Sequence, residues 1–150
     1  SGYWGRDHGN AEGIPPDNFK RTVVGVYPAA GKFDDDDFAS VNLDQGGQGA
    51  GIVPIMLSSW ADLMRAEMAL VSGNSGAAAN HLQSAMQKSI DKVMGFISLD
   101  PDADSDFAPT GTDVSDYISG KINEFSNSGA ETKWEILAQQ QFVSHYGNGI

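Results

Sequence analysis

The chain has 150 residues, 40% of them hydrophobic and 19% charged, with a net charge of −11 and no cysteine. That length supports one domain with a core. The acidity argues against grip on a nucleic-acid backbone or an anionic membrane surface, both of which need basic patches, and the missing cysteine excludes disulfides, thiolate metal sites and a cysteine nucleophile.

Residues 1–53 read as an irregular segment rich in glycine and proline. Tyr3-Trp4-Gly5-Arg6-Asp7-His8-Gly9 is dense in side chains that recognise ligands. A flat indole stacks on a sugar face, and polar neighbours bond its hydroxyls. Trp4, Arg6, Asp7 and His8 are therefore the candidate ligand site; the plainer alternative is that Trp4 packs the loop onto the helices and Arg6 pairs with an acid. Asp7 and His8 make a poor catalytic pair, because neighbours in sequence seldom face each other and no nucleophile context accompanies them. Thr22 to Tyr27, stopped by Pro28, could form one short strand. The glycine run at 46–51 lacks the Lys-Ser/Thr ending of a phosphate-cradling loop.

Residues 54–150 read as two helical hairpins, 54–99 and 112–147. Pro54 suits a first helical turn. Leu57, Trp60, Met64, Met68 and Val71, flanked by Met56, Leu63 and Leu70, recur at helical spacing and predict the buried stripe of the first helix. Glu67 falls beside that stripe, where it either ties the irregular segment to the helix or sits in water. Gly73 predicts the helix stop, with Asn74 or Ser75 as the next cap. The second stripe is Ala78, Leu82, Ala85, Met86, Ile90, Val93 and Ile97. The methionines read as core filler.

The acidic loop that joins the hairpins holds Asp102, Asp104 and Asp106, with Asp113 eleven residues after Asp102. Alternating carboxylates at this spacing are candidate calcium ligands. Two departures weaken the pattern: Phe107 stands where a calcium loop needs glycine, and Asp113 stands where it has glutamate. The alternative is a solvated acidic loop. Thr112 or Asp113 predicts the cap of a third helix bearing Val114, Tyr117, Ile118, Ile122 and Phe125 on one face. Ser128-Gly129-Ala130-Glu131 predicts a capping box for a fourth, with Trp134, Leu137, Ala138, Gln141, Phe142 and Tyr146 on one face. Trp60-x-x-Leu63 and Trp134-x-x-Leu137-Ala138 resemble the opening of a tetratricopeptide repeat, although 74 residues separate the tryptophans instead of a multiple of 34. His81 and His145 stand alone, with no partner at metal-ligand spacing.

Read together, several segments resemble the SusD/RagB family of outer-membrane nutrient-binding lipoproteins. They are Trp4-Gly5-Arg6-Asp7-His8-Gly9, Gly13-Ile14-Pro15-Pro16-Asp17, Gly25-Val26-Tyr27-Pro28 and Gly31-Lys32-Phe33-Asp34. Gly49-Ala50-Gly51-Ile52-Val53-Pro54-Ile55, Ala66-Glu67, Gln139-Gln140 and Tyr146-Gly147-Asn148-Gly149-Ile150 continue the series in the same order. The resemblance implies a mostly α fold of tetratricopeptide-like antiparallel hairpins wrapped by irregular loops. It implies a cell-surface protein of the bacterial outer membrane that binds a glycan or other nutrient and delivers it to a SusC-like TonB-dependent transporter, without being an enzyme. Family members are several times longer, so it also implies a C-terminal fragment, with the signal peptide and lipid-bearing cysteine far upstream. No ligand residue carries over, because the family's ligand site varies.

The expectation is therefore one mostly α domain, with the 1–53 segment packed on the helices of 54–150. The leading function is glycan or nutrient binding, with calcium as the one candidate cofactor and no nucleic-acid partner. A second reading is a helical protein-interaction scaffold with no ligand site of its own. A hydrolase using paired carboxylates fits least, since the aspartates lie in solvated runs and not in apolar settings that would raise a pKa.

Overall fold

A computed structural model describes residues 55–95, 98 and 108–145. The chain divides into two compact units, one of Ser1–Ile52 with Val93–Ala108 and the other of Val53–Lys92 with Pro109–Ile150. The expected strand from Thr22 to Tyr27, the ligand candidates Trp4, Arg6, Asp7 and His8, and the loop acids Asp102, Asp104 and Asp106 lie outside the described residues. The fold of the described residues is mostly α. Four helices follow in order: α1 (Ser58–Val71), α2 (Ser75–Gly95), α3 (Gly111–Asn127) and α4 (Ala130–His145).

α1 starts at Ser58, four residues after the expected Pro54. It stops where the sequence says it should. Gly73 adopts φ +75°, its N–H bonds the Leu70 carbonyl, and the Asn74 N–H reaches back to Ala69. This is a Schellman motif, and its left-handed residue is most cheaply glycine. Asn74 then turns from stop to start, because its side-chain oxygen accepts from Ala77 N at 3.0 Å and caps α2.

The return of α2 along α1 is fixed by Asp62. Its carboxylate accepts from Ser84, 22 residues away, at 2.8 Å, and Gly73 lies at the midpoint of that separation. The second pair closes in the same way. The Tyr117 hydroxyl and the Gln140 amide, 23 residues apart, bond at 3.1–3.2 Å, and Ser128-Gly129 lies midway. Each pair is thus an antiparallel hairpin. α4 packs against both α1 and α3. Across the α1–α4 seam Trp60 meets Ser144 and Glu67 meets Gln141, so position rises along one helix as it falls along the other.

The core draws Leu63 and Ala66 from α1, Ala78, Leu82, Ala85 and Met86 from α2, Ile118 and Phe125 from α3, and Ile136 and Leu137 from α4. Ile90, Val114 and Ile122 pack on its edge. The stripes expected on α2 and α3 are largely those observed, except that Val93 and Tyr117 are exposed. The stripe expected on α1 is not. Trp60 and Leu63 are buried, but Met56, Met64, Met68 and Val71 face outward, and Ser59 and Asp62 take inward places. The face is rotated because Asp62 finds Ser84 and Lys88 on α2, with Arg65 on its own helix, and holds α1 in that phase. α4 departs similarly: Gln140 and Ser144 are buried, while Trp134, Ala138 and Phe142 lie outside.

Two expected caps are also corrected. Thr110, not Thr112 or Asp113, is the N-cap of α3, and Asp113 is its third residue in a complete capping box. The Ser128 hydroxyl turns back to donate to the Glu124 carbonyl at 2.6 Å, so it finishes α3 and does not open α4.

Candidate binding surface

Of the residues singled out as candidate ligands, Asp113 is the one in the described part. Its Oδ2 accepts from the Thr110 backbone N–H at 2.8 Å and from the Thr110 hydroxyl at 2.6 Å. Those bonds to Thr110 hold the carboxyl below its ordinary pKa. Its place in the structure is a helix cap. Among the described residues no three His, Cys, Asp or Glu side chains gather where they could hold a metal ion.

Asp62 is a buried carboxylate that reading the sequence missed. It is 3% exposed and accepts from Lys88 Nζ, Ser84 Oγ and, at 3.1 Å, Arg65 Nη1. The Lys88 hydrogen bond above all lowers its pKa from 3.8 to about 2, against the opposing effect of burial. His81 Nδ1 stands 3.9 Å away, an ion-pair distance and too long for a hydrogen bond. Ser84 and Lys88 hold α2 to α1 through this carboxylate, and Arg65 braces it from α1 itself. A signal was available in the sequence: Ser59, Asp62, Leu63 and Ala66 share one helical face.

The α1–α4 seam carries the chemistry that faces out. At one end Trp60 stacks on His145, ring centroids 4.6 Å apart and 13° from parallel. The Trp60 indole N–H donates to the Ser144 carbonyl at 3.4 Å. His145 Nδ1 lies 2.6 Å from the Gln141 carbonyl. A carbonyl only accepts, so Nδ1 carries the proton. His81 thus neighbours Asp62, and His145 neighbours Trp60 and the Gln141 carbonyl. Glu67, exposed on α1, is 3.5 Å from the Gln141 side-chain amide, so its described partner comes from α4. Any tie to residues 1–53 lies outside the described residues.

Along this seam the apolar residues expected in the core form a strip on the surface. Met64 is 44% exposed, Met68 69% and Val71 74% on α1; Trp134 is 39% and Phe142 71% on α4. Met64, Met68 and Val71 follow i, i+4, i+7 and so form one ridge. Glu131, Glu135, Ala138 and Phe142 form the matching ridge on α4. A third helix seats in a groove bounded by two such ridges.

A second concavity lies among α1, α2, α3 and α4, lined by Leu63, Ala85, Met86, Ser89, Ile90, Tyr117, Gln140, Val143 and Ser144. Its volume is about 50 Å³. That is a third of the roughly 150 Å³ that admits a benzene ring, so no sugar ring enters it. The Tyr117–Gln140 pair in its wall is explained by closure of the α3–α4 hairpin.

No protein-family model, curated protein or solved structure matches the chain. No described helix is long and apolar enough to cross a membrane.

Proposed function

We propose that the chain is a module of a SusD/RagB-like nutrient-binding protein at the bacterial outer-membrane surface. It takes a glycan or other nutrient and delivers it to a SusC-like TonB-dependent transporter, and it is a binding protein, not an enzyme. The observation that carries the reading is the ordered series of motifs from Trp4 to Tyr146. Two antiparallel hairpins over residues 58–145 agree with the tetratricopeptide-like helix pairs that the resemblance implies. Trp4, Arg6, Asp7 and His8 are the proposed ligand contacts, with the indole stacking on a sugar face. Asp102, Asp104, Asp106 and Asp113 remain the proposed calcium ligands, with Asp113 offering Oδ1 because Thr110 bonds its Oδ2. Calorimetry against a panel of glycans, repeated with Trp4→Ala, tests the ligand site. Binding that is lost in the variant supports it, and unchanged binding removes Trp4.

A second reading, a helical interaction scaffold, is favoured by one specific observation. Met64, Met68, Val71, Trp134 and Phe142 are all large apolar side chains left exposed, and contiguous exposed apolar patches mark interaction sites. Co-purification of a partner that is lost on Met68→Lys supports this reading; full retention counts against it.

A further inference from the structure

The interaction-scaffold reading leaves the partner's chemistry open, and the charges beside the strip narrow it. The ridge of α1 carries Glu67 among Met64, Met68 and Val71, and the ridge of α4 carries Glu131 and Glu135 beside Trp134 and Phe142. All three glutamates are exposed. The cations of these two helices are engaged elsewhere: Arg65 bonds Asp62, and Lys133 bonds the Ser128 carbonyl and lies 5.9 Å over the Phe125 ring. The seam thus presents methionine and aromatic side chains interspersed with three exposed carboxylates, and the Glu67–Gln141 pair bridges it. Methionine adapts to varied aliphatic shapes, and a groove between two antiparallel helices accepts a third. A second copy of this chain is a poor occupant, because each copy brings the same glutamates and a net charge of −11. An anionic membrane is repelled for the same reason.

We propose that the α1–α4 groove docks a basic amphipathic helix, its aliphatic face on Met64, Met68, Val71 and Phe142 and its lysines or arginines against Glu67, Glu131 and Glu135. This rests on the interaction-scaffold reading and adds the sign of the partner's charge. A partner helix of about four turns matches the 14 residues of α1. Its anchors would fall at helical spacing, as in other helix-in-groove complexes.

The test uses the whole chain and two synthetic helical peptides, with leucine at i, i+3, i+4 and i+7 and either lysine or glutamate elsewhere. Fluorescence titration should show the lysine peptide binding at least about tenfold more tightly than the glutamate peptide, with the difference shrinking as salt rises. Met64→Lys with Met68→Lys should weaken the lysine peptide about tenfold. Glu67→Lys with Glu131→Lys and Glu135→Lys should reverse the preference. Unchanged far-ultraviolet circular dichroism confirms that the variants are folded. If the methionine variant binds the lysine peptide as before, the peptide sits elsewhere and the proposal is overturned. If both peptides bind equally and the methionine variant loses both, the scaffold stands and the basic partner falls. If neither binds, both readings fail. Sedimentation that shows self-association through Met68, or methionines of the free chain already shielded from peroxide, also overturns the proposal.

Discussion

Asp62 of α1 and Ser84 of α2 are joined by a 2.8 Å hydrogen bond across the first hairpin, 22 residues apart in the chain. The bond does more than close a loop. A carboxylate facing the inside of the hairpin must be paired or it would cost several kcal/mol. Ser84, Lys88 and Arg65 supply the pairing, so this constellation selects one rotation of α1 over the rotation its methionines alone would choose.

Asp62→Asn should therefore destabilise the fold by about 2 kcal/mol, read as a lower midpoint in urea unfolding. Its pH dependence carries a sign. The folded pKa, about 2, is below the ordinary value of 3.8. The bridge contributes fully above the unfolded pKa of about 4 and loses its contribution as pH falls through the folded value. Wild type should lose about 2 kcal/mol between pH 4 and pH 2 that Asp62→Asn does not lose. Parallel pH profiles for the two proteins would refute this role.

The same residue marks the limit of what the sequence discloses. The helix count, the Gly73 stop and the Asn74 cap are legible, because they depend on local backbone chemistry that one residue type satisfies. The faces of α2 and α3 are legible, because Leu82, Met86, Ile118 and Phe125 leave one way to bury apolar area. α1 and α4 are not legible from periodicity. α1 has apolar residues on two sides, and the choice between them is made by Lys88 and Ser84, which lie on another helix. α4 spreads its apolar residues around the axis, and its partner across the hairpin decides that Gln140 goes in and Phe142 stays out. Of the candidate site, Trp4 to His8 lie outside the described residues. The exposed strip is a product of packing, and no local pattern announces it.

The Thr110–Asp113 box predicts a link between cap and cation. Thr110→Ala should cost about 1 kcal/mol of stability by removing the acceptor for Asp113 N. If Asp113 also completes a calcium site, it can do so through Oδ1 while Thr110 holds Oδ2, and Thr110→Ala, which loses the orienting hydroxyl bond, should then bind calcium more weakly than wild type. Calorimetric titration of both proteins measures this. Equal affinity, or no calcium heat in either, assigns Asp113 to the cap alone.

Trp60 and His145 predict a spectroscopic signature. The indole is 6% exposed and stacks on imidazole at 4.6 Å. Trp60→Phe keeps a ring but loses the N–H donated to Ser144, and should cost about 1 kcal/mol. His145→Ala removes the stacked ring and leaves that hydrogen bond, so it should cost about 0.5–1 kcal/mol while altering the near-ultraviolet circular dichroism. A dichroism spectrum unchanged in His145→Ala would show that the stack does not persist in solution.

Gly73 and Gly120 predict opposite signs for the same substitution. At both positions an added Cβ meets nothing within 4 Å, so steric contact decides neither case. Backbone conformation decides both. Gly73 sits at φ +75° in the Schellman turn, where an L side chain costs roughly 1–2 kcal/mol. Gly120 lies inside α3 on its exposed side, where alanine gains roughly 1 kcal/mol by restricting the unfolded chain and favouring the helix. Gly73→Ala should lower the melting temperature and Gly120→Ala should raise it, and the double variant should fall near wild type because the sites share no contacts. Two shifts in the same direction would mean that the α1–α2 turn does not hold its left-handed residue.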